Sequence, residues 1–192
     1  MTVPMWGEFS ARNVLAAIAA TESADLSPDA LRKGLASFQG VKRRMEVIAN
    51  TDDFTVVDDF GHHPTAVTLT LAAARKRWPG RRITAVFEPR SATSRRNIFQ
   101  DAFIEAFSGA DHVVIGTHAR LAEIEESKRF SPDKVATTLR DRGLDASAPG
   151  DVDGILDYFS KAYRKGDVVI IFSNGDFGGL HSKLVQKLGE VS

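Results

Sequence analysis

The run Val56-Val57-Asp58-Asp59-Phe60-Gly61-His62-His63-Pro64-Thr65 decides how this chain folds. Two β-branched residues mark the end of a buried strand, and the segment behind them, rich in acid, glycine, imidazole and proline, must turn the backbone. Pro64 suits the first position of a helix, where its missing N–H removes no hydrogen bond, and Ala66 to Arg77 carries apolar residues at helical spacing. The run is therefore a strand-to-helix corner. In open α/β sheets, corners at the carboxyl ends of strands are where ligands bind. This one concentrates two carboxylates and two imidazoles.

Upstream of the corner, Asn13 to Ala20 is apolar nearly all round and predicts a helix made to be buried. Ser27 as N-cap and Pro28 at the first position open a second helix running to about Phe38. Strands are predicted near Met45 to Ala49 and over Phe54 to Asp58, joined by a turn at Asn50 to Asp53. Downstream, Arg82 to Phe87, Asp111 to Gly116 and Asp167 to Phe172 read as buried strands. Ile98 to Phe107, Ser131 to Arg142, Asp153 to Tyr163 and Leu180 to Leu188 read as helices. This alternation predicts an α/β fold: a mainly parallel, doubly wound (Rossmann-like) sheet with helices on both faces.

Bulk properties narrow the function. The 192 residues suffice for one sizeable core, or one domain with an appendage. Lys+Arg and Asp+Glu are both 25, so the chain has no electrostatic footprint for nucleic acid or an anionic membrane. The absence of cysteine excludes disulfides and cysteine-ligated zinc. No window approaches the ~20 apolar residues needed to span a bilayer, and the first residues lack a signal-peptide pattern. A soluble, cytoplasmic protein is expected. There is no Gly-Lys dipeptide and hence no phosphate loop, so nucleotide triphosphate chemistry would need another domain.

Three strand ends carry unusual polar sequence: Asp58 to Thr65, Glu88 to Arg96 and Ser173 to Gly179. If the strands are parallel, these ends share one rim and can converge on one ligand. Each also has a plainer reading. Asp58 and Asp59 could cap the helix and complement its dipole, for about 0.3–1 kcal/mol. Arg43 and Arg44 could form a solvated face. Asp58, Asp59, His62 and His63 could hold a metal for a hydrolase, although adjacent histidines point in different directions on regular backbone. Asp59 suits a hydroxyl-rich ligand such as a ribose. Arg90, Arg95 and Arg96, ahead of a helix N-terminus, suit a carboxylate or phosphate, which leaves open a stand-alone flavodoxin-like anion-binding module. Gly175, Gly178 and Gly179 allow close backbone approach to a ligand.

Five segments, in order, resemble the Mur ligase family. Gly7 to Asn13 followed by Leu15 to Ala20 is similar to the segment that closes its central domain, and Gly40 to Glu46 resembles its Arg-x-Glu entry into the C-terminal domain. Asp58 to Thr65 is similar to its acid-and-histidine corner. Val41-Lys42-Arg43-Arg44, Phe87-Glu88-Pro89-Arg90-Ser91 and Ser173 to Gly179 most resemble the murein peptide ligase branch; the L-alanine-adding branch usually has His-Arg-Tyr where this chain has Arg90-Ser91-Ala92.

The resemblance implies that residues 1–39 end the central ATP-binding domain and that 40–192 form the C-terminal domain. It implies an ATP- and Mg2+-dependent ligase joining UDP-N-acetylmuramate to the murein tripeptide L-alanyl-γ-D-glutamyl-meso-diaminopimelate, with the fragment alone inactive. By motif position, Asn13, Arg44, Asp59 and His62 would serve ATP. Arg90, Ser173, Asn174, Gly175, Phe177 and Gly178 would hold the peptide. The implied partners are the chain's own central and N-terminal domains, which would supply the phosphate loop and the metal ligands. Phe9 and Ser10 replace the family's usual His-Asn, and Asp176 stands where that branch is expected to carry glycine.

Overall fold

In the computed structural model, which describes residues 5–24 and 26–191, six strands form one sheet in the order β1-β2-β6-β3-β4-β5. Two helices come first, α1 (Glu8–Ala20) and α2 (Pro28–Ser37), and then the hairpin of β1 (Glu46–Asn50) and β2 (Phe54–Asp59). The rest alternates: α3 (Pro64–Arg77), β3 (Ile83–Phe87), α4 (Gln100–Phe107), β4 (His112–Gly116), α5 (Pro132–Asp141), β5 (Asp145–Gly150), α6 (Val152–Ala162), β6 (Asp167–Phe172) and α7 (Leu180–Val191). β1 runs antiparallel to β2, and every other pairing is parallel. The mainly parallel, doubly wound sheet expected from the sequence is present.

The helix starts follow from local chemistry. The Ser27 and Ser131 hydroxyls each accept the N–H three residues on, ahead of Pro28 and Pro132 at the first helical position. Pro64 opens α3 as expected, with His63 as its N-cap. β6 is buried on both faces between β2 and β3, which is why Val168 to Phe172 is an unbroken apolar run. β5 was not foreseen. Asp-Ala-Ser-Ala-Pro-Gly lacks β-branched residues, and it pairs with one neighbour only, where Pro149 costs the sheet nothing inside.

Alternate residues of each strand face two separate cores. On one face Val57, Ala85, Phe87, Ile115 and Ile170 meet Leu71 of α3, Phe103 and Phe107 of α4, and Leu139 of α5. On the other, Val56, Val86, Val114 and Ile171 meet Ile155 and Phe159 of α6 and Leu180, Leu184 and Leu188 of α7. Phe87 is wholly buried, with ring centroids 4.6, 5.5 and 6.0 Å from Phe103, Phe107 and Phe130. That burial, worth about 2 kcal/mol, pins the end of β3 level with its neighbours.

The topology sets where the rim opens. β2 and β3 leave for helices on the first face, whereas β6, between them, leaves for α7 on the second. The connections diverge there, and a crevice opens above β2, β6 and β3. Asp59, Phe172 and Phe87 are in register, so the three strands end together.

One expectation fails. α1, apolar nearly all round, buries only Val14, and Leu15 is 66% exposed. A helix with no amphipathic face needs cover on every side; among the described residues Phe9 packs on the first core and Ile18 is half-buried, while, Val14 aside, the other apolar side chains of α1 stay exposed. No helix among them is long and apolar enough to cross a membrane.

Candidate functional site

The corner after β2 is built around two carboxylates with different tasks. Asp59 is buried; Oδ2 accepts the Met45 N–H at 2.9 Å and Oδ1 accepts the Gly61 N–H at 2.7 Å. Burial pushes its pKa up, and the two backbone donors only partly offset this. Asp58 faces the other way, 3.0 Å from Arg43 Nε and 3.1 Å from His181 Nε2 in the first turn of α7. Burial alone would raise the Asp58 pKa, but the bonds and charges of His181 and Arg43 outweigh it and hold the carboxyl below its usual value.

Arg43 ties the corner to the next strand end. Its Nη2 donates to the carbonyls of Ser173 at 2.7 Å and Gly175 at 2.6 Å, while Nε holds Asp58. The backbone at Arg43 and Met45 is left-handed, with φ 59 and 52, which turns Arg43 and Arg44 to opposite tasks. Both guanidinium groups lie 5.4 Å from the Phe60 ring, and His62 meets that ring edge-on at 5.4 Å. Arg44 itself is exposed and, with Asn13, lines a cleft of about 1170 Å3 between α1, α2 and β1 whose walls include Trp6, Phe9, Phe38 and Val47.

The second half of the rim lies over β6 and β3. Glu88, buried, accepts the Ser173 hydroxyl at 2.5 Å, and Ser173 Oγ in turn accepts the Gly175 N–H at 3.0 Å. His118, just beyond β4, stands with Nε2 3.9 Å from Glu88. Burial lowers its pKa, Glu88 opposes this, and the charges of Arg90, Arg95 and Arg120 add to the lowering. Arg90 lies against Gly175 so closely that a Cβ there would overlap its guanidinium, and it pairs with Asp176 at 3.0 Å. That pairing holds the Asp176 carboxyl below its usual value. Among the described residues, Asn174 Oδ1 is out of solvent with no hydrogen-bond partner.

The predicted site residues are therefore brought together in two groups, with corrections. Asn13 and Arg44 share the cleft, and His62 reaches Arg44 through Phe60. Asp59 instead locks the backbone at Met45 and Gly61, its oxygens turned inward to those donors. Arg90, Ser173, Asn174 and Gly175 share the β6–β3 rim, with Gly178 exposed beside them. The Phe177 ring is buried in the second core against Gly116, so its side chain does not face the rim. Arg95 does not join Arg90: it binds the Arg120 carbonyl and Glu123, which removes the three-arginine anion cluster. His63 caps α3 while Asp58 and Asp59 point apart, so the four corner residues do not converge on a metal.

Sequence reading missed Arg43, Glu88, His118 and His181 as working residues. Arg43 looked like half of a solvated pair, and only its left-handed backbone sends it across to β6.

In an open α/β domain, a polar rim at the carboxyl ends of β2, β6 and β3 is the place where such sheets carry their ligands. Residues 43–175 match the family of the Mur ligase, glutamate ligase domain. The chain is 37% identical over 190 residues to a UDP-N-acetylmuramate–L-alanine ligase of Burkholderia cenocepacia, covering 96% of this chain and 40% of that protein. It is also 37% identical over 185 residues to the UDP-N-acetylmuramate–L-alanyl-γ-D-glutamyl-meso-2,6-diaminoheptandioate ligase of Escherichia coli, covering 96% of this chain and 38% of that protein. The crystal structure of a murein peptide ligase from Psychrobacter arcticus superposes with a TM-score of 0.75 at 33% identity, covering 100% of this chain and 39% of the other. The chain belongs to the Mur ligase family, whose members are ATP-dependent amide ligases, and carries its C-terminal domain. It spans about 40% of the length of the curated relatives it matches.

Proposed function

We propose that this chain is the C-terminal part of a cytoplasmic, ATP-dependent ligase that joins UDP-N-acetylmuramate to L-alanyl-γ-D-glutamyl-meso-diaminopimelate during peptidoglycan recycling. The observation that carries this reading is the meeting of Arg90 with the Ser173–Gly175 loop across the level ends of β3 and β6. A guanidinium beside backbone and an unpartnered amide oxygen can hold the carboxylate and the ammonium of one acceptor. Ser91 and Ala92 next to Arg90 are small, which leaves room for an acceptor larger than alanine.

On the other half of the rim, the cleft between α1, α2 and β1 fits an adenine nucleotide: it has apolar walls, the Asn13 amide and the Arg44 guanidinium. ATP would supply the phosphoryl group that activates the sugar nucleotide's carboxylate. Asn13 reads the base edge, Arg44 neutralises negative charge, and Phe60 with His62 holds Arg44 in place. Asp59 fixes the backbone that presents Arg44. Mg2+ would be held by the central domain. The apolar surface of α1 would be covered by that domain, residues 1–39 being its end. The rim then acts as a closing half-site, where rate comes from positioning the acceptor and excluding water.

The test is phosphate release by the full-length ligase with ATP, UDP-N-acetylmuramate and either the tripeptide or L-alanine. The tripeptide should be the preferred acceptor. Preference for L-alanine, as in the Burkholderia relative's name, would refute the assignment.

A further inference from the structure

The Arg90–Asp176 pair occupies the place where the reading above puts a ligand carboxylate, and three observations bear on how readily it opens. First, the Arg90 guanidinium packs on Gly175, whose missing side chain makes the space, as well as bonding Asp176, so its place at the loop does not come from the ion pair alone. Second, the Asp176 side chain is 80% exposed and that of Arg90 37% exposed, so the pair sits in water. Such pairs contribute little and open readily. Third, apart from the Gly178 N–H, which meets the Asp176 carboxylate, the loop is tied by other groups. The Gly175 N–H goes to Ser173 Oγ, the Ser173 and Gly175 carbonyls go to Arg43, and the Gly179 N–H goes to the Asp176 backbone carbonyl.

The geometry around Arg90 shows what an incoming group would meet. Glu88, the nearest buried carboxylate, is taken by Ser173 Oγ and faced by His118, and Arg95 is taken by the Arg120 carbonyl and Glu123. Arg90 is left as the guanidinium of this rim whose carboxylate partner is exposed and adjacent in the loop.

We infer that Asp176 is a specificity-determining residue: its carboxylate acts as an internal surrogate for the ligand's, and a carboxylate-bearing acceptor must displace it to reach Arg90. This rests on the proposed acceptor site but not on which acceptor is ligated. The surrogate raises the threshold for weak monocarboxylates and favours ligands that bring a second anchoring group. The cost of displacement is that of an exposed ion pair, about two- to fivefold in affinity.

Titration of the 15N-labelled chain, followed at the Gly175 amide, tests this with two probes: the tripeptide and glutarate, a dicarboxylate with no peptide. Asp176→Asn keeps the size of the side chain and removes its charge. It should bind at least one probe about two- to fivefold tighter than the native chain. In an Arg90→Ala background the same substitution should change nothing. Equal or weaker binding by Asp176→Asn overturns the inference, as does a gain that persists without Arg90, and as does failure of all the proteins to bind either probe. A gain seen with glutarate alone leaves the surrogate standing and counts against the tripeptide, so this failure is separable from that of the ligase assay.

Discussion

Replacing Arg43 should loosen the whole rim, because this one side chain joins the corner after β2 to the loop after β6. It makes three charge-assisted hydrogen bonds, to Asp58 at 3.0 Å, Ser173 O at 2.7 Å and Gly175 O at 2.6 Å, with its side chain 30% exposed. Fully buried bonds to a charged group are worth about 1.5–3 kcal/mol each. Partial exposure, and the retained His181 contact to Asp58, reduce the sum, so Arg43→Ala is expected to cost about 3 kcal/mol. The backbone adds a second handle. Arg43 sits at φ 59, where a non-glycine residue is strained by about 1 kcal/mol, so Arg43→Gly should lose about 2 kcal/mol and be the milder change. Urea unfolding followed by far-ultraviolet circular dichroism measures both, and hydrogen exchange at the Gly175 amide reports the loop separately. A loss under about 0.5 kcal/mol for Arg43→Ala, with Gly175 protection unchanged, would refute the bridging role.

Two further outcomes follow from the geometry. His112 is wholly buried between Thr84 and Tyr158, and burial lowers its pKa to about 4. The unfolded chain thus binds a proton that the folded chain refuses between about pH 6.5 and pH 4, and stability should fall by about 3 kcal/mol as pH drops through that window. Denaturant midpoints of the native chain against His112→Leu across the window check this, since the variant should lose that part of the slope. Gly175→Ala should push Arg90 off the loop and raise the Asp176 carboxyl pKa towards its ordinary value, the backbone donors in the loop still lowering it, at a stability cost under about 1 kcal/mol. Carboxyl titration by 13C NMR reads it, and an unchanged Asp176 would count against the observed packing.

The sequence made the sheet legible because β2, β3, β4 and β6 are buried on both faces and write themselves as apolar runs. It hid β5, an edge strand of small residues. The strand ends were legible as polar runs, and their convergence followed from parallel pairing alone. Which atoms face the rim was not legible. Asp59 and Phe177 carry residue types that suit ligands, yet one turns to backbone donors and the other into a core. Arg43 and Arg44 look alike in sequence, and a left-handed turn too local to leave a pattern separates them. The solvent-facing side of α1 reads as core because hydrophobicity reports the need for a partner, not its whereabouts.

The most direct measurement of the central claim, that the cleft beside Arg44 serves the nucleotide and the Arg90 rim serves the acceptor, is steady-state kinetics of Arg44→Ala in the full-length ligase. The expected result is a KM for ATP raised about tenfold or more, the loss of a charge-assisted contact, with the KM for the acceptor unchanged. An unchanged KM for ATP, or a change confined to the acceptor, would contradict it.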